Sequence, residues 1–294
     1  MKKVMLTGAA GQLGRALQKT LSPDEYELVL TDTAAAVGAL DAPATALDIT
    51  DADAVMKFVA DTAPYAVINC AAYTAVDAQE KDVDLSYRIN ALGPRNLSIA
   101  ARAAGAKLVH ISTDYVFSGD ASKPYTEFDA TGPKSVYGKT KLAGEEFVRQ
   151  FAERFFIIRT AWLYGEGKNF VKTMLALSET KETVSVVNDQ TGNPTSATEL
   201  ARMIAYLLPT DNYGIFHGTC EGSCSWAEFA REIFRLAGKT TRVNGVTSAE
   251  YASMNPAAAP RPSFSQLDKY MLRLTTDFKM ADWHDALEEY LKTV

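Results

Sequence analysis

The chain has 294 residues, 47% hydrophobic and 22% charged, enough to bury a sizeable core and unlike a disordered or collagen-like composition. Thirty basic against thirty-six acidic side chains give a net charge of −6, without a Lys/Arg cluster to track a phosphate backbone, which excludes nucleic acid as a partner. No apolar run approaches the roughly 18 residues of a membrane span, and the stretch after Met1-Lys2-Lys3 is too short for a secretory signal, so a cytoplasmic protein away from membranes is expected.

In chain order, short apolar runs at Val4–Leu6, Leu28–Leu30, Ala66–Asn69, Lys107–Ile111 and Phe156–Arg159 read as strands. Between them Val55–Val59, Leu92–Ala104 and Leu142–Phe151 repeat apolar residues at three- and four-residue steps, as core-facing helices do. That alternation predicts an α/β protein with a Rossmann-type doubly wound parallel sheet over residues 1–165. Beyond Thr160 the pattern loosens into helix-like Phe170–Leu177, strand-like Val184–Val187, and helix-like Leu200–Leu208 and Phe229–Leu236. Residues 166–294 are therefore expected to form a smaller mixed substrate lobe, with a segment at about 184–217 returning to the first domain. Ala252–Pro262, rich in Ala and Pro, reads as an irregular loop.

Directly after the first strand stands Thr7-Gly8-Ala9-Ala10-Gly11-Gln12-Leu13-Gly14. Glycines so placed allow a tight turn and a close approach of backbone to a pyrophosphate, while the following helix offers free N–H groups. Gly8, Gly11, Gln12, Leu13 and Gly14 are thus candidate nucleotide ligands, with Asp32, at the end of the second strand, for the adenosine ribose hydroxyls. An Asp there repels a 2′-phosphate and favours NADH unless Lys2, Lys3 or Arg15 compensates, so NADPH and NADH both remain open. Asp48 and Ile49 are placed to cap the adenine, or Asp48 serves as a helix N-cap. Cys70, Ala71 and Ala72 offer small side chains against which a nucleotide can lie.

Tyr137 and Lys141, four apart at the start of a helical run, project from one face. A carbonyl reduced by hydride needs a proton on its oxygen, and a phenol beside an ammonium is a usable acid, its pKa lowered by the positive charge. Thr113 ends a strand at the carboxyl edge of the sheet, where α/β proteins place ligands, and can hydrogen-bond the substrate carbonyl.

Together these features resemble the extended short-chain dehydrogenase/reductase family. The segments at Gly11–Gly14, Ser112–Phe117, Tyr137–Glu145, Arg159–Gly165 and Val187–Thr195 are similar to its dTDP-4-dehydrorhamnose reductase branch. The resemblance implies reduction of the C4 keto group of dTDP-4-dehydro-L-rhamnose by NADPH or NADH. Tyr137 would be the proton donor, Lys141 would bind the nicotinamide ribose, and Thr113 would polarise the carbonyl. It further implies that Val76, Glu80, Asp114, Tyr115, Trp162 and Gln190 line the sugar and thymidine pocket, with Arg261 near the diphosphate. The bland alternatives are core packing for Trp162 and Tyr164, and solvation for Glu80 and Arg261. Some members form a magnesium-linked dimer through acidic residues, one just after the glycine loop. Arg15-Ala16 stand there in this chain, which argues against a metal bridge and leaves monomer or homodimer.

No metal is expected. Cys220 and Cys224 lack a second ligand pair, and the odd set of three cysteines implies reduced thiols. His110 reads as a strand residue satisfied by hydrogen bonds. Two other readings keep much of the pattern. A nucleotide-sugar epimerase or dehydratase would share the loop and the Tyr/Lys helix, although a dehydratase wants an acid pair where Asp114 is followed by Tyr115. A non-catalytic subunit, like the regulatory subunit of methionine adenosyltransferase, would not need Thr113, Tyr137 and Lys141.

Overall fold

The structure, a computed structural model, describes residues 1–254 and 259–294. The first lobe runs β1 (Lys2–Thr7), α1 (Gln12–Thr20), β2 (Tyr26–Asp32), β3 (Ala44–Ala46), α2 (Ala52–Thr62), β4 (Ala66–Asn69), the short α3 (Val76–Gln79) and α4 (Val83–Tyr87), then α5 (Gly93–Ala103), β5 (Lys107–Thr113), α6 (Val136–Phe151) and β6 (Phe155–Thr160). β7 (Leu163–Tyr164), α7 (Phe170–Ser178), β8 (Thr183–Val187), β9 (Thr191–Gly192), β10 (Thr195–Ser196), α8 (Ala197–Leu207) and β11 (Gly214–His217) follow. The chain ends with β12 (Cys224–Ser225), α9 (Trp226–Leu236), β13 (Arg242–Val246), α10 (Ser248–Met254), α11 (Tyr270–Thr275) and α12 (Trp283–Leu291).

One seven-stranded sheet has the order β11-β6-β5-β4-β1-β2-β3, and every pairing in it is parallel. Strands buried on both faces need continuous apolar runs, and β4 and β5 supply them; Val67, Ile68, Leu108 and Val109 are shut off from solvent. The strand order reverses between β1 and β4, the switch point outside whose carboxyl ends α/β proteins open a crevice. On one face α1 and α8 pack through Leu13, Leu17, Leu200 and Ile204; on the other, α2 and α5 cover Val67 and Leu108 with Val55, Val59 and Leu97. The doubly wound α/β expectation therefore holds.

The return to this sheet starts later than the expected residue 184. β8 pairs in parallel with β13 in a separate two-stranded sheet, because Val184 and Val186 bury their side chains among Phe229, Ile233 and Phe234 of α9. Only from β10 onward does the chain turn back, through α8, to place β11 beside β6. β3 and β11 were not among the expected strands; Ala44-Thr45-Ala46 and Gly214-Ile215-Phe216-His217 carry too little apolar pattern to announce themselves. Of the stretch expected as irregular, 252–254 lies in α10, 255–258 falls outside the described residues, and 259–262 has no regular structure. No helix among the described residues is long and apolar enough to cross a membrane.

Candidate active site

At the end of β1 Gly8 takes φ +65°, and a Cβ there would meet the backbone of Cys70 and Ala71 at 2.6–2.8 Å. The loop can lie against the end of β4 only because this residue has no side chain. Gly11 caps α1 without any side-chain acceptor, so the first-turn N–H groups stay available to an anion, which fits a dinucleotide pyrophosphate. Asp32 stiffens the same loop. Its carboxylate accepts from the Ala10 N–H at 2.8 Å and from the Thr33 N–H at 2.7 Å.

Asp32, Asp48, Ile49, Cys70, Ala71 and Ala72 wall a cleft of about 820 Å³ beside the loop. Asp48 is not a helix cap: its carboxylate accepts from the Thr50 N–H at 2.8 Å, while Asp51 caps α2 through Ala54 N–H at 3.0 Å. Arg15, a candidate partner for a 2′-phosphate, is already engaged by Glu166 at 3.2 Å and the carbonyls of Ala39 and Ala10 at 2.6 and 3.1 Å. Lys2 and Lys3 start β1, at the opposite edge of the sheet. Arg88, which sequence reading missed, also lines this cleft; it comes from a π-helical turn at 88–92 that no periodicity announces.

A cavity of about 520 Å³ continues from the glycine loop and brings together Thr113, Asp114, Tyr115, Tyr137, Lys141, Val76 and Trp162. Ser135 starts α6 by accepting from the Gly138 N–H at 3.1 Å, which fixes Tyr137 and Lys141 in the first turns. Lys141 Nζ donates to the Ile111 carbonyl at 2.5 Å. Burial pulls its pKa down to about 8, against the opposing pull of Glu145. Burial pushes the Tyr137 phenol up to about 12, opposed by a hydrogen bond with Thr113 and reinforced by Asp114. The expected lowering of Tyr137 by Lys141 is therefore not met: burial is the dominant influence, and the ammonium is directed at the strand carbonyl instead.

The Thr113 hydroxyl donates to Asp114 Oδ1 at 2.9 Å and accepts from the Tyr115 N–H at 3.2 Å. Asp114 Oδ2 is buried without a hydrogen-bond partner, and burial raises this carboxyl to about 6. Tyr115 meets Tyr137 edge-on at 5.3 Å. Trp162, held at φ +47°, stacks on Trp226 at 3.6 Å.

Gln190 and Arg261 line a neighbouring cavity of about 700 Å³ that shares Trp226 with the first. Gln190 Nε2 donates to Ser248 Oγ at 3.0 Å, and Arg261 Nη2 to Asp77 Oδ2 at 3.1 Å, so Arg261 is paired and not simply solvated. Glu80 lines neither cavity; its carboxylate accepts from the Val136 N–H at 2.8 Å and braces the start of α6. Trp226 went unnoticed in the sequence, though the Ser225-x-x-Glu228 capping box just before it marks a helix start.

Tyr164 sits in the core of the second lobe with the free thiols Cys220 and Cys224. His110 Nδ1 meets the Asn69 amide at 3.1 Å, its Nε2 lacks a partner, and burial keeps the ring neutral. Among the described residues no group of three or more His, Cys, Asp or Glu is placed to hold a metal.

Over residues 1–294 the sequence matches the family model described as RmlD substrate binding domain. A dTDP-4-dehydrorhamnose reductase of Streptomyces griseus is 42% identical over 293 residues, covering 97% of this chain and 91% of that protein. The chain belongs to the dTDP-4-dehydrorhamnose reductase family. A solved reductase structure of that name from Clostridium acetobutylicum superposes with a TM-score of 0.91 at 49% identity, covering 99% of both chains. One from Bacillus anthracis, in complex with NADP, gives 0.90 at 43% identity over 100% of both. Within this reductase family the five resembling segments fall into place: four meet at the carboxyl edge of the sheet or the start of α6, and the fifth, Val187–Thr195, carries Gln190 into the second lobe.

Proposed function

We propose that this reductase converts the C4 keto group of dTDP-4-dehydro-L-rhamnose into the hydroxyl of dTDP-L-rhamnose, using NADPH or NADH. The observation that carries the reading is one continuous cavity whose walls include the glycine loop, Thr113, Tyr137 and Lys141. Residues 1–165 would hold the dinucleotide and the remainder the sugar nucleotide, with β10, α8 and β11 serving the first lobe. Gly8, Gly11, Gln12, Leu13 and Gly14 would cradle the pyrophosphate, Asp32 the adenosine ribose, and Asp48, Ile49 and Cys70–Ala72 the adenine side of the cleft. When bound, the nicotinamide supplies the hydride.

The chain's own residues supply the proton and the geometry. Tyr137, held protonated by burial at neutral pH, donates its phenolic proton to the C4 oxygen, which becomes an alkoxide, a stronger base than phenolate. Thr113, whose hydroxyl donates to Asp114, would turn it to that oxygen as a second donor, and Lys141 would hold the nicotinamide ribose. Asp114 Oδ2, buried and unpaired, suits a sugar hydroxyl, since an unsatisfied buried acceptor gains most from a donor. Val76, Tyr115 and Trp162 would wall the hexose, with Gln190 and Arg261 toward the thymidine diphosphate.

The test follows the absorbance of reduced nicotinamide when the protein meets dTDP-4-dehydro-L-rhamnose made in situ, with NADH and NADPH tried separately. Turnover and a product heavier by two hydrogens are expected. Tight cofactor binding without turnover, or isomerisation without cofactor consumption, overturns the substrate or reaction assignment. Tyr137→Phe is expected to lose roughly 100-fold or more in kcat while still binding cofactor; full activity would remove Tyr137 as the donor.

A further inference from the structure

Tyr137, Lys141 and Glu145 form one stripe of α6 at four-residue steps, and that stripe faces three consecutive residues at the end of β5. Tyr137 meets Thr113, Lys141 Nζ donates to the Ile111 carbonyl, and Glu145 Oε1 accepts from Ser112 Oγ at 2.5 Å. Arg159, opposite Ser112 in the β5–β6 register, reaches the same carboxylate through Nη2 at 2.7 Å and Nε at 3.0 Å. Glu145 is 1% exposed and Arg159 3%.

A pair buried so deeply loses much of its Coulomb gain to desolvation and is a poor source of stability by itself. Its place, one helical turn beyond a buried lysine, suggests another use. Lys141 is 2% exposed and its ammonium rests on a neutral carbonyl. The titratable groups facing it are Glu145 on its own helix, Cys70 beyond β4 and His110 on β5. Burial keeps Cys70 a thiol and His110 a neutral ring. The facing carboxylate is that of Glu145, which pairs with the Arg159 guanidinium at 2.7 Å.

We propose that Glu145 is a positioning residue for the reaction: its carboxylate, fixed by Arg159 and Ser112, keeps the Lys141 ammonium charged where it rests on the Ile111 carbonyl at the cavity wall. The inference rests on the proposed role of Lys141. Glu145 touches neither cofactor nor substrate and acts through the ammonium. Its removal therefore changes the pH at which Lys141 loses its proton, an effect a purely architectural ion pair does not have.

The test measures the dissociation constants of NADH and NADPH by fluorescence from about pH 6 to 10, beside melting temperature, in the full chain. Wild type should lose affinity as the pH rises through the Lys141 midpoint, about 8. Glu145→Gln should move that midpoint down by about one unit or more, as expected on losing a nearby opposite charge, and weaken binding roughly tenfold near pH 8. Arg159→Lys, which breaks the paired geometry but keeps the carboxylate, should lower the melting temperature and leave the midpoint in place. Should Glu145→Gln not fold, Glu145→Gln/Arg159→Gln removes the stranded guanidinium charge and is read the same way. An unmoved midpoint in a folded Glu145 variant overturns the inference. Loss of pH dependence in Lys141→Ala is the reference; if Lys141→Ala binds cofactor like wild type, the functional reading of the site fails instead.

Discussion

Asp114 shows how a site residue can work against the fold that holds it. Asp114 is 2% exposed; one carboxylate oxygen accepts from the Thr113 hydroxyl, the other has no partner within hydrogen-bond distance, and the Ser265 hydroxyl and nearby backbone N–H groups offset its burial only in part. Burial raises its pKa to about 6 from an ordinary 3.8, so folding favours the protonated form. Stability is therefore lost as the pH rises through this window, and above it the loss is constant, up to about 3 kcal/mol for a shift of some two units. Asp114→Asn should stabilise the protein by an amount approaching that figure at pH 7.5 and by little near pH 4. Its turnover should fall, because the amide presents a donor where the proposed sugar contact needs an acceptor. Urea unfolding at both pH values, with the reductase assay at the higher one, checks this. Equal stabilisation at both pH values would remove ionisation as the cause. The Asp was legible in the sequence as a site residue, but its tension with the fold was not, because that depends on its burial and on Ser265 reaching it from a distant part of the chain.

At the scale of elements, the sequence was most readable where a side chain acts on its own backbone neighbourhood. α6 begins at Ser135 and α9 at Ser225 because each hydroxyl satisfies an orphan N–H of the first turn. That local chemistry sets Tyr137 and Lys141 on one face. Asp48 and Asp51 show the limit of such reading. Both are acidic, both precede the apolar stripe of α2, and only the folded backbone, which brings the Ala54 N–H to the Asp51 carboxylate, decides that Asp51 is the cap. Asp51→Ala should cost about 1 kcal/mol by denaturant unfolding, whereas Asp48→Ala, whose carboxylate holds only the Thr50 N–H of the loop before the helix, should cost less and act chiefly on cofactor affinity. The opposite ranking would return the cap to Asp48. Glu80 shows the same limit. The family resemblance implied a sugar contact and its acidic neighbours a solvated face; it is exposed, and its carboxylate accepts from the Val136 N–H, 56 residues away.

At the scale of the whole molecule, the two lobes are tied at a place that no periodicity could reveal. Strand–helix alternation depends on neighbours in sequence, so the parallel sheet and the switch-point crevice were legible; the closure of the second lobe depends on its final helix. Tyr290 on α12 donates to the Gly165 carbonyl at 2.7 Å and accepts from the Asn169 amide at 2.9 Å, 125 and 121 residues away. Asn169 in turn caps α7 through the Lys172 N–H at 3.0 Å, and α7 supplies Phe170, which packs on Trp226 at 4.7 Å, next to the Trp162 stack. One phenol thus anchors the chain where it leaves the β7 strand and, through Asn169, the wall of the proposed sugar pocket. Tyr290→Phe keeps the ring, which also meets Tyr164 edge-on at 5.1 Å, but removes one bond each from the Gly165 carbonyl and the Asn169 amide, which remain bonded to each other at 2.6 Å. It should cost about 1 kcal/mol in unfolding free energy and raise KM for the sugar nucleotide more than it raises the dissociation constant of the dinucleotide, because the glycine loop and Asp32 do not depend on α12. Equal weakening of both ligands would mean that the lobes respond as one rigid unit and that the last helix supports the entire crevice.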